Sequence, residues 1–110
     1  MLDLRLYILQ RVTALIMAPL VLGHIAVMIV AVRGGLSAEE ILSRTQGSLL
    51  WAGFYGTFVL AASVHAAIGL RVVVFEYAKL KGLALSLFTW AVFLALLFMG
   101  TRAVFAVTAP

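Results

Sequence analysis

Val12 to Val32 reads VTALIMAPLVLGHIAVMIVAV, 21 residues without a charge, bounded by Arg11 and Arg33. At about 1.5 Å per helical residue it spans a hydrocarbon core of roughly 30 Å. Lipid offers a backbone amide no partner, so such a run has to be helical. Two more follow, Gly47–Leu70 with 24 residues and Gly82–Thr101 with 20. The chain is therefore expected to be an all-α membrane protein. Its three antiparallel transmembrane helices form one unit over residues 1–110, with spans at about 11–32, 48–77 and 83–105.

Composition supports the same class. Of 110 residues, 65% are hydrophobic and 11% charged, more apolar surface than a soluble domain of this length can bury. The net charge of +4 does not point to nucleic acid, because the basic residues flank apolar spans. Arg5, Arg11, Arg71, Lys79 and Lys81 fall on one side of the membrane. Arg33, Arg44 and Arg102 fall on the other, diluted by Glu39 and Glu40. The bias favours a cytoplasmic N-terminus and an outer C-terminus. The chain has no cysteine, which excludes disulfides, iron–sulfur ligation and thiolate catalysis by its own residues. The first apolar run is too long for a signal peptide and lacks a small-residue cleavage site, so it is expected to remain as helix one.

Local signals place the turns. Residues 1–11 read as an interfacial lead-in carrying Leu2, Leu4, Leu6 and Tyr7, and Pro19 predicts a modest kink in helix one. Gly34-Gly35 ends that helix. Ser37-Ala38-Glu39-Glu40 has capping-box spacing, which predicts a short outer helix to about Arg44 between helices one and two. Gly47-Ser48 opens helix two, with Trp51 and Tyr55 at the outer headgroup level, and Lys79–Gly82 forms the inner turn.

Two histidines lie inside spans, where ionisable side chains are costly and face protein, cofactor or water. Around His65 of helix two, Ala62, Ala66 and Gly69 share or adjoin its face, leaving room for a flat group. A neutral imidazole is the common axial ligand of haem iron. The competing reading makes His65 a hydrogen-bond partner of another helix and the small residues mere packing. Glu76 and Tyr77 lie about 17 Å further along helix two. As an acid beside a phenol they suit proton delivery to a quinone carbonyl; alternatively Glu76 pairs with Lys79 or Lys81 and Tyr77 anchors the interface. Arg11 reads as a positive-inside anchor with Thr13 just inside it. Arg71 either snorkels to the interface or binds a carboxylate such as a haem propionate. His24 shares a face with Thr13, Met17, Leu20 and Met28. It either ligates a haem or bonds a backbone carbonyl of another helix.

Two stretches carry a family resemblance. Leu9-Gln10-Arg11-Val12-Thr13-Ala14 is similar to the His-Arg-x-Ser/Thr-Gly/Ala segment of helix one in the membrane anchors of succinate:quinone oxidoreductases, the succinate dehydrogenase and fumarate reductase family. His65-Ala66-Ala67-Ile68-Gly69-Leu70-Arg71, followed by Glu76-Tyr77, resembles that family's His-x-x-x-Gly-hydrophobic-Arg run and its acid–tyrosine pair. The resemblance covers nearly the whole chain.

It implies an anchor subunit in the bacterial cytoplasmic membrane, paired with a second three-helix anchor and holding a flavoprotein and an iron–sulfur subunit. It further implies a haem b with His65 as axial ligand to its iron, and a quinone, ubiquinone or menaquinone, at Arg11, Glu76 and Tyr77. Arg71 would contact a propionate or the iron–sulfur subunit, Arg11 is alternatively a propionate arginine, and His24 is a candidate contact to a second haem. The chain departs from the pattern at Gln10, where some relatives carry histidine, and at Glu76, where aspartate is common. Arg71 resembles the larger anchor type, Ala66 and Glu76-Tyr77 the smaller. A fumarate reductase anchor, or a haem-free scaffold with His65 and Glu76 in a proton path, are the alternatives.

Overall fold

The computed structural model describes residues 3–110. It contains α1 (Leu4–Gly34), α2 (Ala38–Thr45), α3 (Leu49–Tyr77) and α4 (Gly82–Thr108), and no strand among the described residues. The three long helices are each long and apolar enough to cross a membrane. The chain is an all-α integral membrane protein with a short helix between its first two spans.

From Leu4 onward the segment before Arg11 is itself helical. Asp3 caps α1, its carboxylate accepting the Leu6 amide at 2.9 Å, and no glycine or proline interrupts the chain before Pro19. Leu2 lies outside the described residues. The charges at Arg5 and Arg11 limit the stretch that meets hydrocarbon, not the helix, and α1 carries on through Pro19 as well. It stops at Gly35, whose φ of 128° is open to glycine alone at little cost. Ser37 then caps α2, accepting the Glu40 amide at 3.1 Å, and Ser48 caps α3 through the Trp51 amide at 3.2 Å.

α3 is the central helix. α1 and α4 both pack on it and make little contact with each other. The residues that become buried are small or hydroxyl-bearing: Thr13, Thr45, Ala61, Ser63, Ala67 and Thr108, with Ile68 and Leu85 as the larger apolar members. That is the economy of packing in lipid, where apolar burial gains nothing over the solvent and close backbone approach supplies the attraction. Gly100 of α4 meets Val59 of α3, and Gly23 of α1 meets the ring of Phe54.

A seam closes the end of the bundle that carries α2. The last carbonyls of a helix have no partner in the helix; here Thr45 donates its hydroxyl to the Val107 carbonyl at 2.6 Å, and the Gly47 amide donates to Thr108 at 2.8 Å. Gly47 reaches that position with φ of 73°. The loop between the first two spans is thus fastened to the end of the third.

Candidate cofactor-binding site

The contact that organises the site joins α1 to α3. Thr13, one of the most buried residues of the chain, places its hydroxyl oxygen 3.2 Å from Nδ1 of His65. The same hydroxyl lies 2.9 Å from the Leu9 carbonyl and 3.0 Å from that of Gln10, within the preceding turn of α1. Nε2 of His65 has no hydrogen-bond partner among the described residues. The ring is half-buried, and Ala62, Ala66 and Gly69 around it are only partly covered. A Cβ at Gly69 would lie 3.6 Å from the Gln10 amide nitrogen, while the Gln10 amide oxygen is buried without a partner. One ring nitrogen is therefore held, the other is open, and the flanking surface is shallow. That donor set fits an axial haem ligand.

The Thr13–His65 contact also fixes the register of two antiparallel helices. Residue 13 is level with residue 65, and Gln10 with Gly69. Arg11 thus sits about 3 Å from the His65 level along the axis, whereas Glu76 lies about 17 Å from it. Arg11, expected beside Glu76 and Tyr77, is not level with them. It donates to the Tyr7 hydroxyl at 3.5 Å, one turn toward the N-terminus. The charged residues at the start of helix one nearest the level of Glu76 are Asp3 and Arg5, which sequence reasoning did not single out.

Glu76 and Tyr77 end α3 together, both exposed, Tyr77 to 81%. No ion pair joins Glu76 to Lys79 or Lys81. Arg71 lies on a different face from His65, about 120° around α3. It points to α4, donating through Nη1 to Thr89 at 3.1 Å, and its Nε is buried without a partner. Arg71 lines a groove of about 430 Å³ together with Arg5, Leu9, Ala67, Thr89 and Trp90.

His24 is a separate centre. It packs edge-on to Tyr55 and Phe58, with ring centroids at 6.0 and 5.5 Å, and its Nδ1 is buried without a partner. With Ala62, Gly100 and Val104 these residues line a cavity of about 440 Å³ toward the α2 end of the bundle. His24 and His65 do not share a pocket.

Thr13, Thr89 and Arg5 thus join the candidate set. The signal available for the threonines was their chemistry: a hydroxyl in a lipid-spanning helix is turned to a helix interface. Neither the curated proteins nor the solved structures offer a match to this chain. A family model does match: that of the succinate dehydrogenase/fumarate reductase transmembrane subunit, over residues 2–106. Three apolar spans, a helix-two histidine held by helix one, and a match along nearly the whole sequence establish that the chain belongs to the succinate dehydrogenase/fumarate reductase transmembrane subunit family.

Proposed function

We propose that this chain is the membrane anchor of a succinate dehydrogenase, binding haem b and quinone together with partner subunits. The carrying observation is His65, with Nδ1 held by Thr13 and Nε2 open beside Ala62, Ala66 and Gly69. A second three-helix anchor would cover that face and could supply a further ligand to the haem. When bound, haem b supplies a one-electron relay inside the membrane. Arg11, close in level to His65, suits a propionate better than the quinone. His24, in its own cavity, would serve a second haem only if the partner anchor completes that outer site.

Glu76 and Tyr77 form the quinone end. As two electrons arrive from an iron–sulfur subunit carrying a flavoprotein, each quinone carbonyl oxygen takes up a proton. The Tyr77 hydroxyl donates a hydrogen bond to one oxygen, and Glu76 passes protons from the aqueous side. This requires the Glu76 end to face the cytoplasm, in agreement with the charge bias, in a bacterial cytoplasmic membrane. Arg71 would meet the iron–sulfur subunit or a propionate.

The test is a reduced-minus-oxidised spectrum of the purified complex. A b-type signal lost in His65→Ala is expected; a signal surviving that substitution overturns the ligand assignment. Co-purification of a flavoprotein and a cysteine-rich iron–sulfur protein is expected, and an anchor isolated with neither contradicts the role.

A further inference from the structure

The Thr13 hydroxyl has one proton and three acceptors within reach: the carbonyls of Leu9 and Gln10 at 2.9 and 3.0 Å, and Nδ1 of His65 at 3.2 Å. A neutral imidazole carries one N–H and one lone pair, and the partner of one nitrogen decides which is which. Two arrangements are possible. If Thr13 donates to Nδ1, the ring proton sits on Nε2, which has no acceptor among the described residues. An N–H turned without a partner toward lipid, which offers no acceptor, is the costlier orphan. If Thr13 donates backward to the carbonyls, as threonine does in helices, its oxygen lone pair accepts Nδ1–H. Every proton is then placed, and Nε2 keeps a bare lone pair.

We infer that Thr13 is a positioning residue that locks His65 in the Nδ1–H tautomer and so presents Nε2 as the metal-binding nitrogen. The inference rests on the haem reading for its purpose, but not for its geometry. Its consequence for the ligand is electronic as well as steric. A ring whose N–H is engaged by an oxygen acceptor is a more basic donor, and such outer-sphere partners fix both the orientation and the strength of a ligating histidine. The control is exerted across a helix boundary, since Thr13 belongs to α1 and His65 to α3.

Two measurements test it. In the full-length, haem-free chain labelled at histidine nitrogen, nuclear magnetic resonance in detergent should report Nδ1–H at His65 in the wild type and in Thr13→Ser. A wild-type ring protonated at Nε2 overturns the inference whatever becomes of the haem. In the assembled complex, Thr13→Val should retain haem roughly 10- to 100-fold less well on detergent exchange. Its residual haem should show a raised midpoint potential, because a less basic ligand favours the ferrous state. Thr13→Ser should match the wild type in both. A Thr13→Val complex with unchanged retention and potential, or a Thr13→Ser complex that shifts equally, overturns the inference. A b-type spectrum persisting in His65→Ala instead removes the haem reading, leaving the tautomer to the resonance measurement. If Thr13→Val does not assemble, the wild-type tautomer still decides.

Discussion

Gly100 of α4 stands so close to Val59 of α3 that a Cβ built on it would lie 2.5 Å from Val59 Cγ1. Val59 is β-branched and stiff at χ1 within a helix, so it cannot swing aside. Gly100→Ala should therefore cost about 1–3 kcal/mol of stability, read as a lower melting temperature in detergent. Val59→Ala placed on the same chain should recover most of the loss. Strictly additive losses would mean that the helices do not approach at this point.

The seam between Thr45 and Val107 gives a second expectation. Thr45→Val keeps the shape but removes the donor to the Val107 carbonyl, at a cost of about 1 kcal/mol, rising to about 3 if that carbonyl is left dry. Amides around Gly47 should then exchange faster, and Thr45→Ser should behave as the wild type. Equal exchange rates in Thr45→Val and the wild type would remove the seam from the account.

At the inner end, Tyr77→Phe and Glu76→Gln should slow quinone reduction, Glu76→Gln by on the order of 100-fold if it is the proton donor. Succinate oxidation by an artificial acceptor should be unaffected. Unchanged quinone kinetics in both variants would move the quinone elsewhere.

Register separates the arginines. Arg11→Gln should loosen haem while leaving the quinone KM close to normal, because Arg11 is level with His65 and not with Glu76. Arg5→Gln should do the reverse. A quinone defect confined to Arg11→Gln would contradict the level assignment drawn from Thr13 and His65.

The absence of cysteine makes orientation directly testable. Single substitutions Glu39→Cys and Lys79→Cys introduce one thiol each on opposite sides of the membrane. An impermeant maleimide should label the first in intact cells and the second only after permeabilisation. The opposite pattern would invert the topology.

The spans were legible because lipid imposes two demands, length and absence of charge, and Val12–Val32, Gly47–Leu70 and Gly82–Thr101 meet both. The short helix from Ala38 was legible because Ser37 and Glu40 form a local capping pattern. The extension of α1 back to Leu4 was hidden, since charge marks where hydrocarbon ends and says nothing about where hydrogen bonding ends. His65 stood out by its cost in lipid. Its partner Thr13 is 52 residues away, and nothing local announces such a pairing. The level of Arg11 was hidden for the same reason: register between helices is set by one contact, and the sequence contains both ends of it without the link.

The seam between Thr45 and Val107 also imposes an order in time. Thr45 must wait for Val107, 62 residues later in the chain, and Gly47 for Thr108. While the chain is being made, the loop joining α1 to α3 has to remain unfastened until that partner exists. The third span latches the first two, so that fastening cannot form until residues 107 and 108 have been made.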